Sequence, residues 1–112
     1  MTRDGWLVSN GIVLASAELA TSHADRGKGL LGRDGVGGAL VLDRTRWVHT
    51  MGMKFPIDVA HVDAAGVVLR VSHMPPHRIG QFVRAASRVV EAEAGAFERW
   101  GLHVGDVVEL RE

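Results

Sequence analysis

Apolar residues come in short runs separated by glycine, proline and acidic residues, a pattern that predicts many short strands and few helices. Trp6-Leu7-Val8 and Ile12-Val13-Leu14 flank Asn10-Gly11. That pair tolerates the positive φ angles of a tight turn, so a hairpin is predicted. Thr21 or Ser22 can cap a helix running through His23-Ala24-Asp25-Arg26 to Leu30-Leu31 and stopping near Gly32. Gly27 and Gly29 each weaken that helix by about 1 kcal/mol relative to alanine, so packing of Leu30 and Leu31 on a sheet is expected to hold it. Asp34-Gly35-Val36-Gly37-Gly38 reads as a connector, because it lacks the Gly-Lys-Ser/Thr ending and following helix of a phosphate loop. Ala39-Leu40-Val41-Leu42 is continuous enough for a buried strand, and Asp43 to Arg46 turns the chain into Trp47-Val48-His49.

Ile57 to Val62 and Val67 to Val71 enclose Asp63-Ala64-Ala65-Gly66, which predicts a hairpin closed by a type I turn with glycine left-handed at its end. The first of these strands is apolar on both faces and belongs in the middle of a sheet. Its period of two sets Asp58, Ala60 and Val62 on one face and Ile57, Val59, His61 and Asp63 on the other. Ser72 to His77 holds Pro75-Pro76 and is not helical; a loop follows through Gly80. Ser87 to Ala92 predicts another strand, Gly95 to Trp100 a short helix ended by Gly101, and Val107 to Leu110 a closing strand. The fold class expected is α+β: a compact, mostly antiparallel sheet or barrel-like domain with two or three short helices, spanning residues 1–112 as one domain.

Composition narrows the chemistry. There is no cysteine, so disulfides, thiolate nucleophiles and zinc-thiolate sites are all excluded. No apolar run approaches the length of a membrane span. The start resembles a signal peptide only superficially, since Asn10-Gly11 splits its apolar stretch and Asp4 sits in the charged region; a cytoplasmic protein is expected. Charges balance, with 13 basic against 13 acidic residues, so no long-range field collects nucleic acid. They are unevenly spread. Arg70, Arg78, Arg84 and Arg88 fall in an interval free of acids, and the chain turns acidic from Glu91 onward. A solvated surface with pairing between these segments is one account of that asymmetry; an anion site is the other.

Several motifs in order, Gly29-Leu30-Leu31-Gly32-Arg33, then His49-Thr50 with Met53-Lys54-Phe55-Pro56-Ile57-Asp58-Val59, then Ser87-Arg88-Val89-Val90-Glu91 with Ala94-Gly95 and Gly105-Asp106, resemble the domain of unknown function 192 family. The resemblance runs from about Arg26 onward and implies a compact, mostly antiparallel β domain with short helices and no established activity. His61 departs from the family pattern, which implies a packing role there.

Candidate chemistry concentrates between His49 and Asp63. Asp58, in the middle of a central strand, needs hydrogen bonds or a cation to replace its lost hydration; Lys54, Arg33 or amides of the Met51 to Phe55 loop are the expected partners. Three readings follow. A binding module for a small anionic or polar ligand would use His49, Met53, Lys54, Asp58, Arg33, Arg70 and Arg78. A hydrolase would pair His49 as base with Asp58 or Asp63, and Thr50 or water as nucleophile. A soft-metal protein would combine the histidines with Met51, Met53 and Met74 to hold copper. Ligand binding is preferred, because no catalytic spacing and no metal-binding helix motif is present; no cofactor and no metal is expected.

Overall fold

The computed structural model describes residues 2–112, with Met1 outside the described residues. In chain order the elements are β1 (Arg3–Ser9), β2 (Ile12–Ala20), α1 (His23–Lys28), β3 (Ala39–Asp43), β4 (Ile57–Val62), β5 (Val68–Met74), β6 (Arg88–Glu93), α2 (Ala96–Trp100) and β7 (Val108–Arg111). Every predicted strand forms. The predicted first helix is shorter than expected: Ser22 Oγ accepts from the Asp25 amide at 3.0 Å, but the helix ends at Gly29, whose φ is 49°. Leu30 is therefore buried from a turn rather than from a helix face.

The seven strands form one sheet in the order β5-β4-β6-β3-β2-β1-β7. Antiparallel pairing prevails, yet the sheet is mixed, because β2 and β3 pair in parallel with Ala17 opposite Ala39. Residues 21–38, including α1, are the crossover that a parallel pair requires. The two edge strands approach each other at one end. Val67 bridges Val107, and the amides of Val68 and Val108 donate to the carbonyls of Asp106 and Gly66, each at 2.8 Å. The sheet thus curls into a half-barrel. Gly66 sits in this seam with φ of 88°, and a Cβ there would collide with the Val108 carbonyl, so the turn glycine also permits closure.

Curling gives two apolar layers. On the concave face Leu7, Leu19, Val41, Val62, Val68 and Val90 pack around Phe97 of α2. On the outer face of β3, β4 and β6, Leu40, Leu42, Ile57, Val59 and Val89 are covered by Leu30, Val36, Val48 and Met53 from the connecting segments. β4 lies between β5 and β6 and is buried along its whole length. Its two faces divide as the period-two reading predicts, Ala60 and Val62 inward, Ile57 and Val59 outward.

Candidate functional site

The covering segments are pinned by a few polar contacts. Thr50 is fully buried; its hydroxyl donates to the Pro75 carbonyl at 2.6 Å and accepts from the Arg78 amide at 2.9 Å. Its backbone also receives the amides of Met53 and His77. This threonine clamps the 47–53 segment to the loop after β5. Arg33 clasps Glu18 of β2 through two hydrogen bonds, at 2.8 and 3.2 Å. That bond holds the Glu18 carboxyl below its usual range and raises the Arg33 guanidinium.

Beneath these segments lies a cleft of about 210 Å³, lined by Gly29, Leu30, Leu42, Trp47, His49 and Met53, with Glu91 among its walls. Glu91 stands on β6 between Leu40 and Val59 of the neighbouring strands, on the outer face, and is only 3% exposed. Among the described residues its carboxyl has no hydrogen-bond or ion-pair partner. Loss of hydration alone pushes it up to about 7. A buried carboxyl without a donor is uncommon, because its desolvation is normally offset by hydrogen bonds. Here it faces a cavity whose rim carries Arg26, Lys28 and His49. The His49 ring is held in place: Nδ1 accepts from the Met51 amide at 3.1 Å, and the ring lies 5.6 Å from that of Trp47.

The residues singled out from the sequence do not form one pocket. His49 and Met53 line this cleft. Asp58 is buried as expected, but on the concave side of the sheet, where its Oδ2 accepts from the amides of Gly95 and Phe97 at 3.0 and 3.2 Å. Its Oδ1 lies 3.4 Å from His73 Nδ1. The expected partners Lys54, Arg33 and the Met51 to Phe55 amides are replaced by the start of α2, so Asp58 fastens that helix to β4. Lys54 pairs with Asp34 at 3.2 Å on an exposed loop. Arg70 lies exposed on β5, and Arg78 donates to the Pro76 and His77 carbonyls; neither lines the cleft. His49 therefore meets neither Asp58 nor Asp63, whose Oδ1 accepts the Ala65 and Val67 amides within its own turn. Met53 and Met74 belong to the apolar outer layer, and among the described residues no cluster of three or more histidines and carboxylates is placed to hold a metal ion.

Glu91 was not among the sequence candidates. The signal was there: Val89-Val90-Glu91-Ala92 is apolar on both sides of the glutamate, the pattern of a strand covered on both faces. His61 is another buried polar group, 1% exposed, with neither ring nitrogen in hydrogen-bond geometry with a partner among the described residues. Desolvation, reinforced by the charge of Arg70 and partly opposed by the backbone at Arg46, holds it below the usual histidine range.

These features define a small curled-sheet domain with an unpartnered carboxyl beneath its covering segments. The chain belongs to the family of domain of unknown function DUF192, described as an uncharacterized ACR, whose model matches residues 7–110. No curated protein matches it. Two solved structures share the fold. A protein of unknown function from Novosphingobium aromaticivorans is 20% identical, with a TM-score of 0.80 over 96% of this chain and 84% of that one. A proposed transcription regulator from Sinorhizobium meliloti is 24% identical, with a TM-score of 0.81 over 98% and 94%. At these identities the likeness concerns the fold.

Proposed function

We propose that the chain is a small-ligand binding protein whose ligand seats in the Glu91 cleft and offers a hydroxyl or amine to the buried carboxyl. The observation that carries this reading is the carboxyl itself, desolvated, facing a cavity and without a protein donor. A ligand that supplies the missing hydrogen bond removes a desolvation penalty the free protein bears. The cleft, at about 210 Å³, is smaller than the roughly 300–1,000 Å³ of drug-sized sites, so the enclosed portion of the ligand is a compact polar fragment. Arg26, Lys28 and His49 on the rim favour a ligand that also carries acceptors or negative charge.

The test is an amide-resolved NMR titration of the protein with small polyols, hydroxy acids and amines. Shifts confined to Gly29, Trp47, His49 and Met53, and abolished in Glu91→Ala, support the reading; silence from every class at millimolar concentration refutes it.

One observation favours a second, catalytic reading of the same place. A carboxyl near 7 is matched to proton transfer at neutral pH, and His49 lines the same cleft. Under that reading Glu91 takes the place first assigned to Asp58, and turnover of a cleft ligand is lost in Glu91→Gln while binding persists. The compartment expected for either activity is the cytoplasm, tested by fractionating cells that express the protein.

A further inference from the structure

Next to the cleft, and sharing Arg26 and Trp47 with it, is a wider basin of about 630 Å³. It is bounded by α1, the turn after β3 and the segment leading into β6. Arg26, Arg44 and Arg46 line it, and no aspartate or glutamate does. Among the described residues none of the three has a carboxylate within ion-pair distance. Each is anchored to a backbone carbonyl instead: Arg26 to Arg44, Arg44 to Thr21 and Arg46 to Ala86, each at 3.2 Å. A guanidinium has five N–H donors, so these bonds orient the groups and leave further donors for an anion.

Arg44 adds a second observation, since its φ of 48° is left-handed. A non-glycine side chain occupies that region at a cost, and such residues cluster at ligand sites. Two aromatic side chains also line the basin, Trp47 at 44% and Phe82 at 57% exposure. Trp47 is fixed by its Nε1, which donates to the Gly80 carbonyl at 3.0 Å.

We propose that this basin is a nucleotide site, in which Arg26, Arg44 and Arg46 hold the phosphate and Trp47 and Phe82 flank the base. Guanidinium groups suit phosphate because their planar donors match its oxygens in pairs. A free phosphate would leave most of the volume empty, whereas about 630 Å³ lies in the range of small-molecule sites. Exposed rings beside the cations provide stacking for a planar group. The basin offers three arginines, Arg26, Arg44 and Arg46, in one compact site rather than along an extended track, which suits a single nucleotide. The proposal shares Arg26 and Trp47 with the cleft but does not use Glu91, so Glu91→Gln separates its failure from that of the cleft reading.

The experiment is an NMR and calorimetric titration of the whole protein at low salt with adenosine monophosphate, adenosine, inorganic phosphate and a short oligonucleotide. Adenosine monophosphate is expected to perturb the amides of residues 44–47 and 82–87 and to bind at least about tenfold more tightly than adenosine or phosphate alone. Arg44→Asn combined with Arg46→Gln, the asparagine tolerating the left-handed backbone, is expected to weaken it about tenfold or more in a protein that keeps its folded amide spectrum, with a melting temperature lower by a few degrees for the two lost carbonyl bonds. Phe82→Ala weakens the nucleotide but not phosphate, and Glu91→Gln leaves nucleotide binding unchanged. No binding at millimolar nucleotide, equal binding of adenosine, indifference to the arginine substitutions, or loss in Glu91→Gln each overturns the proposal. An oligonucleotide that binds more than about a hundredfold tighter than the mononucleotide also overturns it, in favour of a strand-binding surface.

Discussion

Replacing Glu91 with glutamine isolates the electrostatic consequence of burying a carboxyl without a donor. Burial lifts this group from 4.5 to about 7, which at about 1.4 kcal/mol per pH unit corresponds to about 3 kcal/mol between its charged and neutral forms. The folded state therefore binds the proton more tightly than the unfolded chain does. The contribution of this group to stability is greatest below about pH 4.5, falls as pH rises towards 7, and levels off above it, where the charge is present in both states. Glutamine has nearly the shape of the protonated acid and cannot ionise. Wild type and Glu91→Gln should thus be equally stable near about pH 3.5, while near about pH 8 the variant should be more stable by up to about 3 kcal/mol, on the order of 10 °C in melting temperature. The assay is urea denaturation at a series of pH values, and the readout is the difference between the two proteins. Other titrating groups, His61 included, are common to both and cancel. Parallel stability curves from about pH 5 to about pH 8 would refute the reasoning and show that the carboxyl is solvated in the folded protein.

Other substitutions probe the supports of the fold and the site. His61→Leu should remove a loss of stability that wild type shows as pH falls below about 6.5, since protonation of the unfolded chain is favoured there, and denaturation near about pH 5 and pH 7.5 reads the difference. Asp58→Ala leaves the Gly95 and Phe97 amides without their acceptor and should cost about 2 kcal/mol, with hydrogen exchange accelerated first in α2. Thr50→Val deletes the hydroxyl that joins Pro75 to Arg78; a loss of about 1–3 kcal/mol and faster proteolysis of the 47–53 segment are expected. Gly66→Ala combines a left-handed φ with a collision at the Val108 carbonyl and should lower stability by about 2 kcal/mol or more, measured by thermal melting.

Local order was legible because local chemistry determines it. Asn10-Gly11 adopts φ values of 52° and 75°, as a two-residue hairpin turn demands, and Gly66 closes the Asp63 turn through its amide. The alternation along β4 correctly separates the faces of Asp58 and Ile57. What could not be read is which segment covers which face. Asp58 and His49 are close in sequence but lie on opposite sides of one strand layer, so the expected polar pocket divides. Glu91 falls within the strand predicted over Ser87 to Ala92, but its charge alone does not single it out from the acids that follow it, and only its apolar flanks mark a covered strand. The arginines of the basin come from α1 and from the turn after β3, and Phe82 from a third segment. Their assembly depends on the parallel β2–β3 crossover, which no local periodicity encodes.

The pairing of β1 with β7, Trp6 opposite Arg111 and Ser9 opposite Val108, joins strands from opposite ends of the chain. β1 and β2 form a local hairpin, whereas the outer edge of β1 finds its partner across nearly the whole sheet, so this pairing carries a large loop-closure cost and is expected to form late in folding. Arg3 and Glu112 then meet in an ion pair at 3.2 Å. A short peptide linking these residues, with new ends opened in the exposed Asp34-Gly35 connector, would make the β1–β7 pairing local and move the long-range closure to the β2–β3 pair.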